Sequence, residues 1–299
     1  MRCMMPPKSR TLFQEMNRIL VRKRASARAM RPRLSSKLDL EILAARSEIE
    51  HAPIVTHDKE LYAPLFRKVS MFKRSYELME CTLKVYIYKD GNKPIFHQPI
   101  MKDPAKAHLF YMPFSSRMLE HSLYTKFLQK YHYFNRTGGA DHFLAACHDW
   151  APYETRHHME YCIKALCNAD VTQGFKIGRD VSLPEAYVRS HWKDKDPDMK
   201  IYGPMPHGVT SKMNYINHMK NSKYCICPKG YEECVPVIIS DNFVPHFFEV
   251  LNWDVFSIIL AEKDIPNLKQ ILLSVSQYDL FHITLHLIWY NRVFQIKVR

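Results

Sequence analysis

The stretch Tyr224-Cys225-Ile226-Cys227-Pro228-Lys229-Gly230-Tyr231-Glu232-Glu233-Cys234-Val235-Pro236-Val237-Ile238-Ile239-Ser240-Asp241 decides the fold. Two apolar runs flank a Pro-Lys-Gly turn, and the second runs directly into Asp241-Asn242. Strands buried in a parallel sheet are written as short continuous apolar runs, and in an open α/β sheet the turns at the strand carboxyl ends face the ligand. The stretch therefore predicts a strand, a ligand-facing turn and a second strand. A nucleotide-type ligand is the first to consider.

The same alternation extends in both directions. Upstream, residues 62–81 read as mainly helical, and Leu83-Lys84-Val85-Tyr86-Ile87-Tyr88 is a β-branched and aromatic run closed by Asp90-Gly91-Asn92. Residues 107–114 predict a second strand, 117–133 a crossover helix, 143–147 a third short strand and 154–166 a helix. Further strands are expected at 199–202, 224–227, 235–239 and 256–260, with helices at 210–220, 245–251 and 266–274. Strands alternating with helices indicate βαβ units and a parallel sheet. The polar, Pro-bearing stretch 180–198 divides two halves. Ahead of them, Ser36 is an N-cap candidate for a helix with Leu38, Ile42, Ala45 and Ile49 on one stripe, read as a stem helix outside the core. Residues 51–58 form the linker. The expected division is a leader, stem helix and linker at 1–58, an N-terminal α/β half at 59–185 and a C-terminal half at 186–299.

With 299 residues, 46% of them hydrophobic, the chain can bury one large core or two modest ones. Its formal charge of +13 is concentrated: residues 1–37 hold eleven Lys or Arg against one acid, Glu15, which leaves three net positive charges elsewhere. The body is not a polycation, and nucleic-acid binding is not expected. The Arg-rich, acid-poor arm fits an organelle transit peptide or a disordered basic leader. The longest uncharged apolar run, 280–290, is about half of the ~20 residues that a membrane-spanning helix needs, so no crossing is expected. The eight cysteines are too scattered for a disulfide scaffold and read mainly as buried small side chains, with one or two bridges left open for an oxidising lumen. Cys225 and Cys227 alternate along a strand and cannot chelate one ion together. Asn135-Arg136-Thr137 is a glycosylation sequon, informative only in the secretory pathway.

The strings at 224–232, at 233–248 and at Asn135-Arg136-Thr137-Gly138-Gly139-Ala140-Asp141-His142-Phe143 on to Trp150 resemble the plant exostosin-like glycosyltransferases. The resemblance covers most of the chain from about Tyr62 to Arg299. It implies a GT-B-like architecture, two Rossmann-like, doubly wound halves facing each other across a cleft. The implied reaction is transfer, with inversion, of a sugar from a UDP-sugar to a cell-wall-type polysaccharide or glycan acceptor. No metal and no cofactor beyond the donor is implied. Family members are anchored in the Golgi membrane by one N-terminal helix with the catalytic part in the lumen. That location is expected here by resemblance, although the sequence shows no such helix, and a complex with other glycosyltransferases is a further expected association.

Inverting transfer needs a base for the acceptor hydroxyl and a clamp for the departing diphosphate. Gly138-Gly139-Ala140-Asp141-His142 sets a flexible turn before an acid and an imidazole, and His148-Asp149 closes the third strand at its carboxyl end. By the residues alone, the Gly pair is equally a tight turn and His142 equally a hydrogen-bonded core residue. The family string favours Asp141 or His142 as base, with Gly138, Gly139 and Asp149 on the acceptor side. For the donor, Lys229 and the Gly230 amide suit a diphosphate, and Glu232 suits ribose hydroxyls. Asp241 is either a donor contact or a helix cap.

Three breaks interrupt the resemblance. Between Glu232 and Glu233 about four helical turns are absent; further segments are missing after Val188-Arg189-Ser190 and between Ser276 and Gln277. Parallel strands need a crossover of about a dozen residues, so the strands at 224–227 and 235–239 are not expected to pair in parallel. With only 8 glycines in the chain, a Gly-rich phosphate turn is also lacking. The C-terminal half is therefore expected to be incomplete and donor binding weakened. The rival reading is a catalytically inactive exostosin-like protein that binds glycan or a partner transferase.

Overall fold

The computed structural model describes residues 13–29, 36–55, 58, 61–88, 101–113, 116, 132–157, 159–184, 224–226, 235–279 and 282–283. It resolves into two compact units, Met1–Leu183 with Asn242–Leu251, and Pro184–Asp241 with Asn252–Arg299. The expected crossover helix at 117–133, strand at 199–202 and helix at 210–220 lie outside the described residues.

The first unit is built on a parallel five-stranded sheet of β1 (Val85–Ile87), β2 (Leu109–Tyr111), β3 (His142–Ala146), β4 (Ile163–Leu166) and β5 (Val181–Ser182), in that spatial order. The order follows the sequence, so the reversal that marks double winding is not present among the described residues. Phe110, Met112, Leu144, Met159, Leu166 and Phe248 are all fully buried in its core.

Several elements differ from expectation. Residues 154–166 do not form one helix: helix α4 in this region covers only Ala151–Thr155, and Ile163–Leu166 become β4. Hydrogen-bonding partners on both sides, β3 and β5, override the helix propensity of Lys, Ala and Leu there. Within the basic arm, helix α1 (Phe13–Ala29) is part of the core rather than a disordered leader, with Met16 1% and Leu20 3% exposed. Phe13, Met16 and Leu20 recur at i, i+3 and i+7, an apolar stripe on an otherwise basic helix. Phe13 packs edge-on to Phe248 at 5.4 Å, and Arg24 donates to the Glu249 carbonyl.

Helix α2 (Lys37–Glu50) starts at Ser36, whose hydroxyl caps the Asp39 amide, and it buries no residue, as a helix outside the core should. Glu41 ties it to Lys84 and His108, and Glu48 to Arg74 on helix α3 (Val69–Thr82). The expected helix at 245–251 is a series of turns packed in the first unit. The Phe247 amide bonds outward to Ser182 O, as that of Val244 just before the stretch does to Ala169 O, and Phe247 sits at φ +50, which a helix does not allow.

The second unit holds a parallel three-stranded sheet in the order β6 (Tyr224–Ile226), β7 (Val235–Ile239), β8 (Ile258–Leu260), followed by helix α5 (Leu268–Ser274). Val237, Leu268 and Leu272 form its buried cluster. β6 and β7 pair in parallel, Tyr224 opposite Val235 and Ile226 opposite Val237, which overturns the expectation that they could not. Strand length is the reason. A three-residue strand rises only about 7 Å, and the eight residues of 227–234 can reach about 27 Å when extended. The dozen-residue requirement applies to longer strands crossed by a helix.

Candidate functional site

The structure separates the expected acceptor-side residues into two groups at opposite ends of β3. Gly138 to Asp141 lead into its amino end; Cys147 to Trp150 follow its carboxyl end, where parallel sheets expose ligand sites.

At the amino end, Gly138 and Gly139 turn the chain with φ of +64 and +90. A Cβ on Gly139 would lie 2.6 Å from the Phe134 ring, so this glycine is required for close packing. Asp141 Oδ1 accepts from Thr137 and lies 2.7 Å from His142 Nδ1, while Oδ2 accepts from Arg136 Nε at 3.0 Å. Burial alone would raise the Asp141 pKa, but hydrogen bonds from His142, Thr137 and Arg136 outweigh it and hold the carboxyl at about 2. His142 is 0% exposed, its Nε2 is 2.9 Å from the Tyr88 hydroxyl, and its ring stacks on Phe110 at 4.7 Å. A base must come within hydrogen-bond reach of the proton it takes. Both His142 nitrogens and both Asp141 oxygens are engaged in this geometry, so either residue would have to exchange a present partner to act as the expected base. The pair is a polar bracket that joins Tyr88, just after β1, to the start of β3 and the preceding turn.

At the carboxyl end, the Cys147–Cys167 disulfide joins the chain just after β3 to the chain just after β4. Asp149 Oδ1 accepts from Asn168 Nδ2 at 2.8 Å across the same two ends. Of the donor-side candidates, Lys229, Gly230 and Glu232 lie outside the described residues. Asp241 follows β7 and is 1% exposed; its Oδ1 accepts from the Glu262 amide at 3.1 Å, closer to the capping alternative than to an open ligand contact. The backbone of Asn135 lies in the 3-10 turn His132–Arg136.

Sequence reasoning missed a buried ion pair. Lys164 on β4, 1% exposed, donates to the Gly174 carbonyl at 2.7 Å and lies 3.4 Å from Asp180, which also pairs with Arg179. Burial lowers the Lys164 pKa and Asp180 opposes the shift. Among the described residues no group of His, Cys, Asp and Glu is arranged to hold a metal ion, and no helix is long and apolar enough to cross a membrane. Asp194-Lys195-Asp196 and Asp196-Pro197-Asp198 are Asp-x-Asp strings outside the described residues, so the expectation of metal-free transfer rests on resemblance alone.

A family model, the Exostosin GT47 domain, matches residues 80–202 and 186–275. The probable glycosyltransferase At5g03795 of Arabidopsis thaliana is 31% identical over 382 residues, covering 88% of this chain and 73% of that protein. The probable glycosyltransferase At3g07620 of the same plant is 27% identical, covering 86% and 81%. The probable glucuronosyltransferase Os02g0520750 of Oryza sativa subsp. japonica is 24% identical over 56% of this chain and 53% of its own length. The first of these matches extends over more positions than the 299 residues of this chain, so that relative has stretches with no counterpart here.

Proposed function

The chain belongs to the Exostosin GT47 family, and from that premise we propose that it is a glycosyltransferase acting on cell-wall polysaccharide, with a UDP-sugar as donor and inversion at the transferred carbon. The observation that carries this reading is the family match across residues 80–275, with a relative 31% identical over most of both chains. The glucuronosyltransferase name among the relatives supports sugar transfer as the activity. The parallel sheets of both units support a GT-B-like arrangement with the donor held by the second unit, at Lys229, Gly230, Glu232 and Asp241. The acceptor falls to the first unit, at the carboxyl end of β3 near Asp149, and transfer proceeds without a metal ion.

A Golgi-luminal location is supported by the Cys147–Cys167 bridge, because disulfides persist in oxidising compartments. There the sequon at Asn135 becomes a modification site. A second reading, an inactive glycan-binding partner of other transferases, is favoured by one observation: only eight residues join β6 to β7, where the resemblance leads one to expect a donor-binding helix.

Calorimetric titration of the full chain with UDP and UDP-sugars tests the two. Heat of binding that Lys229→Ala abolishes is the outcome expected of the transferase. No heat with any donor would leave the inactive partner as the reading.

A further inference from the structure

Inverting transfer needs a base, and Asp141 and His142 could serve only by giving up partners they already hold. The carboxyl end of β3 carries a carboxylate under no such constraint. Asp149 is exposed there, on the side where parallel sheets present ligand-facing residues. Its Oδ1 accepts from Asn168 Nδ2 at 2.8 Å, and no described residue bonds its Oδ2.

The mount beneath this carboxylate is stiff. Asp149 stands two residues after Cys147 and Asn168 one residue after Cys167, so the Cys147–Cys167 bridge fixes the backbone under both members of the pair. The Trp150 amide donates to His148 Nδ1 at 3.2 Å and closes the turn around Asp149.

Asn168 sets the pair apart from an ordinary surface contact. It is 4% exposed, its Oδ1 is buried without a hydrogen-bond partner, and the bond to Asp149 is its only side-chain hydrogen bond among the described residues. A carboxylate only accepts, so the amide must turn its NH2 toward Asp149 and its oxygen away. A buried acceptor left unpaired destabilises the fold. At that cost a buried amide is committed to orienting one exposed carboxylate, which is how a catalytic base is held by a second group.

Two simpler readings fail. A carboxylate ahead of a helix often caps it, but the cap position of α4 is Trp150 and no side chain bonds an amide there. The neighbouring imidazole is not the base either. In neutral His148 the Nδ1 that accepts from the Trp150 amide is the bare nitrogen, so Nε2 carries the hydrogen and donates.

We propose that Asp149 is the catalytic base of the transfer and that Asn168 positions it. The inference rests on the glycosyltransferase reading. Asp149 Oδ2 takes the proton of an acceptor hydroxyl while that oxygen attacks C1 of the donor sugar. The new C–O bond forms with inversion, the bond from C1 to the diphosphate oxygen breaks, and UDP leaves with the electron pair. The proton then passes from Asp149 to water.

The test is acceptor-dependent release of UDP by the full chain, with a panel of UDP-sugars as donors and arabinoxylan, xyloglucan or glucomannan oligosaccharides as acceptors. Calorimetric titration with UDP runs in parallel. Asp149→Asn keeps an oxygen for Asn168 and removes the basicity, so kcat should fall about a hundredfold or more. The donor KM and the heat of UDP binding should stay as in the wild type. Sodium formate, a small external base, should speed Asp149→Ala and leave the wild type unchanged, a rescue that a misfolded variant cannot show. Asn168→Ala should lower kcat about tenfold in the wild type and have no further effect in Asp149→Asn. Equal losses in both backgrounds would mean a structural role and remove Asn168 from the proposal. Asp149→Asn that transfers as fast as the wild type, or Asp149→Ala that formate leaves slow, overturns the base and spares the transferase reading. A wild type that releases no UDP from any donor ends that reading and the base with it.

Discussion

The two units of this protein solve the same architectural problem with unequal means. In the first, five parallel strands are covered by residues drawn from three distant segments: Met16 and Leu20 of α1, the strands and turns between Tyr88 and Ile177, and Val244 with Phe248. Its interior is large enough to enclose the Lys164–Asp180 pair and the Tyr88–His142–Asp141 chain, all with partners, and a disulfide clamps the carboxyl ends of β3 and β4. In the second unit the described cluster is three residues, all from β7 and α5. Buried polar groups are tolerable only where surrounding packing and complete pairing offset their desolvation. A core assembled from distant segments survives changes in any one connection. The described part of the second unit is instead held by three short strands and one helix, with Val237 packed against Leu268 and Leu272.

The sharpest way to break this contrast is to damage the large core and ask whether the small one notices. Phe110 is 0% exposed, stacked on His142 and on Tyr133, with Arg136 over its ring at 4.8 Å. Phe110→Ala should cost about 3–5 kcal/mol. Hydrogen exchange should report it as lost protection in β2 to β4, with the amides of β7 unchanged. If β7 loses protection in step, the two units fold as one and the contrast fails.

The disulfide comes next. It closes a loop across 20 residues of sequence, and replacing both Cys147 and Cys167 by Ala should remove about 3 kcal/mol from the first unit. Denaturant unfolding followed by exchange at β3 and β4 would measure it. A loss near zero would mean that the Asn168–Asp149 bond and the sheet hold those strand ends without covalent help.

How much of this was legible depended on whether a residue's neighbours in the chain were also its neighbours in space. β1, β2, β3 and β7 were visible because their apolar runs are local. β4 was not, because Lys164, Ala165 and Leu166 favour a helix and only pairing with β3 and β5 reverses that preference. α1 was hidden by composition: its many Arg residues drew attention to charge, although the period of Phe13, Met16 and Leu20 was there to be counted. Asp141-His142 stood out as a motif, yet its burial is decided by Tyr88 and Phe110, about fifty and thirty positions away, which no local pattern reveals. The pairing of Cys147 with Cys167, and of Asp149 with Asn168, follows only once β3 and β4 are known to be adjacent.

Acid should act on the first unit in two steps. Burial holds His246 at about 4, below its ordinary 6.5. The unfolded chain takes up that proton first, and stability falls as pH drops from about 6.5 to 4. Asp141, held at about 2 against an ordinary 3.8, contributes stability that is fully present above about pH 4 and is lost as pH falls through 2. That second step is worth about 2 kcal/mol and should vanish in Asp141→Asn. Comparing the unfolding of wild type and Asp141→Asn at pH 5 and pH 2.5 isolates it. A variant with an unchanged acid step would show that the bracket around His142 does not hold the carboxylate as the geometry indicates.

The smallest effect probes the second unit directly and bears on its unexpected strand pairing. The Tyr224 hydroxyl donates to the Leu272 carbonyl at 3.0 Å, fastening β6 to α5. Tyr224→Phe removes that bond and little else, so it should cost about 1 kcal/mol, felt only in the second unit. Exchange should quicken at β6 and α5, while β2 to β4 stay as they were. This outcome requires β6 to lie in the sheet beside β7. If Tyr224→Phe changes nothing in exchange, β6 is not held there. The described sheet of the second unit would then consist of β7 and β8 alone.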